Sequence, residues 1–151
     1  MSNPLRSLVD YEHFVHTLMQ QFPAVRRSTV TFVRRGATLA RIAGELQFDL
    51  GLRLVIRQRL LFQRLPGVID EYGYEVWKGD EKLYWYDSQP HPGDSTLQST
   101  HPHHKHVPPD IKHHRIPAPD MSFTRPNLPV LIREVEALMK RLPPEGEPKQ
   151  V

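Results

Sequence analysis

The sequence predicts an α+β fold: an antiparallel sheet of about five strands, an N-terminal and a C-terminal helix packed on it, and a long histidine- and proline-rich loop. Three observations carry this. Apolar residues recur at three- and four-residue spacing near both ends. Between residues 28 and 87 the period changes to two. Residues 90–119 then hold seven of the chain's 15 prolines and seven of its nine histidines. Residues 1–142 read as a single α+β domain, and 143–151 as a flexible polar tail.

The first helix is expected over residues 10–22. Tyr11, Phe14, Val15, Leu18, Met19 and Phe22 form its buried stripe, Asp10 is a candidate N-cap, and Pro23 ends it. His13 and His16 fall on its polar side. From 28 to 62, Val30 and Phe32, then Ala40, Ile42, Leu46 and Phe48, then Leu52, Leu54 and Ile56 alternate with polar residues. These strands have one wet face, and that face carries arginines. Residues 72–77 and 82–87 flank Lys78-Gly79-Asp80-Glu81 as an aromatic-rich hairpin, its rings expected chiefly in packing. Prolines at the density of 90–119 forbid a helix or a central strand, so that segment is expected as a functional loop. In 126–142, Leu128, Leu131, Ile132, Val135, Leu138, Met139 and Leu142 mark the closing helix, with Pro126 and Pro129 suited to its first turn.

Composition narrows the chemistry. The absence of cysteine excludes disulfides, thiolate metal sites and cysteine nucleophiles. No apolar run approaches the roughly 20 residues of a membrane span, and the N-terminus lacks the layout of a secretion signal, so a cytoplasmic protein is expected. The formal charge is +3, and nine arginines lie between residues 26 and 64. Arginine's planar fork suits phosphate, which makes Arg41, Arg53 and Arg57 on the sheet, with Lys112 and Arg115 beyond it, the expected nucleic-acid-binding residues.

The chemistry-bearing stretch is YDSQPH at 86–91, followed by HPHHKH at 101–106. This pattern resembles the TumE-type toxins: a strand ending in Tyr-Asp, a small or polar pair, Pro-His, a short gap, then Pro-His-His-Lys-His. The match falls on Tyr86, Asp87, Pro90, His91, Pro102, His103, His104, Lys105 and His106. The chain departs from the pattern in Ser88-Gln89 and in its longer tract over 107–119. The resemblance implies a toxin held in check by a helix-turn-helix antitoxin partner.

The residues themselves allow three chemistries. Metal-independent RNA cleavage needs a base for the 2′-hydroxyl, an acid for the 5′-oxygen and a cation for the phosphate. His91 with His103 or His104 supplies the pair, Lys105 and Arg115 the cation, and Asp87 orients an imidazole, with His106 beside them in the run. No cofactor is needed for that reaction. Alternatively His101 with His103, or His104 with His106, each pair on one face of an extended segment, completes with Asp87 or His91 a site for a divalent transition metal such as zinc or manganese, which makes a metal-dependent phosphodiesterase or nucleotidyl-transfer enzyme. The third reading is a non-catalytic module that docks RNA, the ribosome or a protein.

Overall fold

The computed structural model describes residues 2–143, so all but Pro143 of the expected tail lies outside the described residues. Helix α1 spans Leu8–His16 and a short α2 spans Leu18–Gln21. The N-cap is Ser7 rather than Asp10: the Ser7 hydroxyl accepts from the Asp10 amide, while Asp10 pairs with Arg6. The expected single helix breaks at Thr17, whose hydroxyl donates back to the His13 carbonyl at 2.8 Å.

The sheet has eight strands, not about five: β1 Arg27–Ser28, β2 Thr31–Arg35, β3 Leu39–Gln47, β4 Leu52–Leu61, β5 Val68–Lys78, β6 Glu81–Asp87, β7 His104–His106 and β8 Arg115–Pro117. Every pairing is antiparallel, in the order β1-β3-β4-β5-β6-β7-β8, with β2 beside β3 as well. Two strands explain most of the difference in the count. The expected loop over 90–119 instead contains β7, β8 and a 3₁₀ turn at Ser95–Thr100. Proline forbids a central strand only where its missing amide is needed. Pro102 precedes β7, and Pro117 closes β8 at the end of the strand order.

A second small departure lies at the other edge. β1 and β2 pair with one continuous β3 but are split around Thr29-Val30, which press against Gly44. A Cβ on Gly44 would lie 2.6 Å from the Thr29 carbonyl oxygen, so only glycine fits there. The aromatic hairpin turns tightly through Gly79-Asp80, with Gly79 at φ +57°.

The final helix α3 spans Leu128–Met139, with Pro126 just outside it and Pro129 in its first turn. Tyr11, Phe14, Leu18, Leu128, Leu131, Ile132 and Val135 meet Ala40, Ile42, Leu54, Ile56, Tyr72, Tyr74 and Val76 in one buried cluster. Both helices therefore cover the same face of the sheet. Through that core runs a satisfied polar chain: Tyr11 Oη donates to Gln58 Oε1, Gln58 Nε2 to Tyr74 Oη, and Asn127 Nδ2 to the same phenol oxygen. The opposite, outer face is polar, as the alternation predicts. Arg41, Arg53, Arg57 and Arg59 all lie on it.

Candidate active site

Side chains of directly paired residues emerge on the same face of an antiparallel sheet. Following the register across β3 to β8 gives an outer-face row of Ala43, Arg57, Gly73, Asp87, His104 and Pro117. The adjacent row reads Glu45, Val55, Glu75, Trp85, His106 and Arg115. Asp87, His104 and His106 thus share one patch because β7 lies beside β6. All three are buried, at 7%, 1% and 2% exposure. His91 reaches them from the connection after β6, its ring edge-on to that of His104 with centroids 4.9 Å apart.

Hydrogen bonds fix how these rings are turned. His104 Nδ1 lies 2.9 Å from the Pro102 carbonyl oxygen, and His106 Nδ1 2.9 Å from that of Ile111. A carbonyl only accepts, so both Nδ1 atoms carry hydrogen and both Nε2 atoms are directed inward. The two Nε2 atoms are 3.1 Å apart, and His104 Nε2 is 2.9 Å from Asp87 Oδ1. Such contacts are attractive only with a positive charge between them, and a proton on His104 Nε2 supplies it. Burial opposes charge on His104, but the Asp87 and Pro102 bonds overcome this and raise its pKa. Asp87 is likewise disfavoured as an anion by burial, yet His104 and the Gln89 amide hold it below the usual carboxylate range. Burial lowers His106 in spite of Asp87, and burial with the Arg115 and His104 charges lowers His91.

Two neighbours complete the patch. The Trp85 ring stacks on His106 at 3.6 Å, nearly parallel, and its indole N–H donates to the same Ile111 carbonyl. The Arg57 guanidinium lies over Gly73, where a Cβ would come within 2.6 Å of Nη2. Gly73 is the residue paired with Asp87, so the missing side chain leaves room for the Arg57 guanidinium at the position next to it in the row. Across from His106, Arg115 has its Nε buried with no hydrogen-bond partner among the described residues. An unsatisfied guanidinium N–H at a cluster of proton-transfer groups is a ready point for an anion.

A protein-family model described as Toxin TumE matches residues 15–139. The chain belongs to the TumE toxin family. Its function is that of a toxin, and membership implies an antitoxin partner. No curated protein and no solved structure matches the chain. None of the helices among the described residues is long and apolar enough to cross a membrane.

In this TumE toxin the remaining expected residues fall elsewhere. Lys105 alternates to the inner face of β7, where Nζ lies 3.3 Å from Glu134 of α3 and over the rings of Tyr84 and Tyr86 at 4.3 and 5.1 Å. It is not part of the outer-face cluster. His103, outside β7, meets the Tyr72 hydroxyl at 2.6 Å through Nδ1 and stacks on that ring. Burial, and the charges of His104 and His101, lower its pKa. His101 is exposed at the end of the 3₁₀ turn and His103 lies against Tyr72, so that expected metal pair is away from Asp87, whereas His104 and His106 both meet it. Arg53 is held by Glu45 at 2.9 Å and lies over Trp77. Arg41, paired in register with Arg59, lies further along the outer face, and Lys112 is exposed between β7 and β8. Gly73 and Trp85 were not expected at the site. The register of the β5–β6 and β6–β7 pairs brings them beside Asp87 and His106.

Proposed function

We propose that this toxin cuts RNA at the Asp87–His91–His104–His106 cluster by transferring protons between imidazoles. The observation that supports it is the convergence of His104 and His106 Nε2 on Asp87, an arrangement that is attractive only with a proton held between them. Beside this held proton stands a third imidazole, His91, whose ring meets that of His104 edge-on. Proton donor and proton acceptor are therefore neighbours, on the arginine-bearing face of the sheet.

In the reaction, neutral His91 takes the proton of the 2′-hydroxyl. The 2′-oxygen attacks the adjacent phosphorus, and the bond from phosphorus to the 5′-oxygen breaks. His104 gives its Nε2 proton to that leaving oxygen. The products are a 2′,3′-cyclic phosphate and a free 5′-hydroxyl. Asp87 and His106 hold the proton on His104 in line until it is transferred. Arg115 and Arg57 meet the phosphate oxygens, whose negative charge grows in the transition state. Lys105 takes no part, being occupied with Glu134 on the far face.

The test uses the purified full chain, a short single-stranded RNA, and the same strand with deoxynucleotides throughout. The expected result is cleavage of RNA alone, with cyclic phosphate ends, in the presence of EDTA. His104→Gln or His91→Ala lowers the rate by about 10²–10⁴-fold. Cleavage that persists in both variants, or that accepts the deoxy strand, overturns the mechanism.

A further inference from the structure

The same convergence has a second chemical meaning. Two imidazoles whose Nδ1 hydrogens are tied to main-chain carbonyls, and whose Nε2 lone pairs meet a carboxylate, have the outer hydrogen bonds of metal-bound histidines. The spacing agrees. In a tetrahedral zinc site with bonds of about 2.0–2.1 Å, donor atoms lie about 3.3 Å apart. Here His104 Nε2 lies 2.9 Å from Asp87 Oδ1 and 3.1 Å from His106 Nε2, which is 3.6 Å from Asp87 Oδ2. One donor atom each from Asp87, His91 and His104 also lies within a 4.8 Å span. The proton that satisfies this cluster and a divalent cation compete for the same lone pairs.

We propose that Asp87, His91 and His104, with His106 as a further donor, form a binding site for a divalent transition ion of zinc's class, and that the ion switches the toxin off. Three imidazole nitrogens and one carboxylate oxygen are a borderline-soft set, suited to zinc, cobalt or nickel and unsuited to magnesium or calcium. A single carboxylate supplies the only negative charge in the donor set, and the Arg115 guanidinium lies close enough to oppose a cation. Retention is therefore moderate, and a chelator removes the ion. Once bound, the ion holds the lone pair of His91 and displaces the proton from His104, so neither can act on RNA. The inhibitory half of the proposal rests on the acid–base reading above. The binding half does not.

The experiment titrates zinc into the metal-free full chain at pH 7.5 against a chromophoric chelator, and repeats the titration with cobalt while recording visible absorption. One ion per chain is expected, with the intense visible bands of tetrahedral cobalt. His91→Gln, at a half-buried connection outside the strands, weakens binding at least about tenfold, as does Asp87→Asn. His113→Gln, on an exposed imidazole between β7 and β8, leaves binding unchanged. Circular dichroism on each variant separates lost ligands from lost fold. Zinc also abolishes RNA cleavage, and EDTA restores it. Binding that His91→Gln and Asp87→Asn leave intact overturns the site. Stoichiometric binding that raises cleavage overturns the inhibition and the metal-independent reaction together. If zinc binds through these residues while RNA is never cut, the site stands and the acid–base reading falls.

Discussion

Neighbouring residues of β7 meet opposite surroundings on the two sides of the sheet. On the inner side Lys105 finds Glu134 and two tyrosine rings, a charge with an opposite charge and apolar cover. On the outer side His104 and His106 find Asp87 and each other, an arrangement that requires one added proton. The inner group is an ion pair through Glu134 Oε2, which also accepts from the Tyr86 hydroxyl. The outer one holds a displaceable cation in a patch flanked by Arg57 and Arg115. Residue type alone does not mark the difference, since lysine is as apt for phosphate as histidine is for proton transfer. The side of the strand decides.

The sharpest way to break the contrast is to exchange the fates of the two sides. His104→Gln is expected to lower RNA cleavage by about 10²–10⁴-fold while Lys105→Met leaves it within about twofold, measured on the same substrate. Equal losses in both would place the lysine in the chemistry and overturn the assignment. The next effect is at Gly73. A methyl group there meets the far end of the Arg57 side chain, so the fold tolerates it and the guanidinium is pushed off its place over Gly73. Cleavage should fall about tenfold, the order of one charge-assisted hydrogen bond, with the unfolding midpoint in urea nearly unchanged. A lost fold instead of lost activity would assign Gly73 to backbone conformation.

Smaller still is the stability change on the inner side. Lys105 and Glu134 are part-exposed, so Lys105→Met costs up to about 1 kcal/mol in urea unfolding. A larger loss would make the pair a principal support of the β6–β7 junction. The last prediction concerns pH. His91, His103 and His106 have folded pKa values below the ordinary imidazole value, and His104 has one above it. Below about pH 6.5 the unfolded chain takes up protons that the three lowered imidazoles resist. Stability therefore declines as the pH falls through that region. His104 works the other way: its contribution is complete below the unfolded value and fades as the pH rises through its own raised pKa. Asp87 adds its share above about pH 3.9, the unfolded value, and loses it only as the pH falls through its depressed one. Three imidazoles against one set the sign, so stability at pH 5.5 is below that at 7.5. His103→Phe, which keeps the stack on Tyr72, should make the slope shallower. An unchanged slope would remove His103 from the account.

Periodicity made much of this architecture readable. Both helices, their buried stripes, β3 and β4, the aromatic hairpin and the arginine-bearing outer face all follow from the spacing of apolar residues. Asp87, His91, His104 and His106 followed from residue type and from a strand running straight into the histidines. The two short strands were hidden because three residues give too little alternation to detect, and the prolines around them point to loop. With β7 unrecognised, Lys105 could not be told from its neighbours. Gly73 and Trp85 were out of reach for another reason: their places beside Asp87 and His106 depend on the pairing register of three strands, which no single strand's pattern contains.

The Lys105–Glu134 contact also acts as an alignment pin. β7 offers only three residues to β6, and a displacement by one position would turn both imidazoles toward α3 and send the ammonium group to the outside. That slipped arrangement would leave the Glu134 carboxylate facing rings instead of a cation, and Asp87 beside a lysine with no proton relay. The pair thus adds its small share, within the roughly 1 kcal/mol expected above, to the main-chain pairing that keeps both imidazoles on the outer surface.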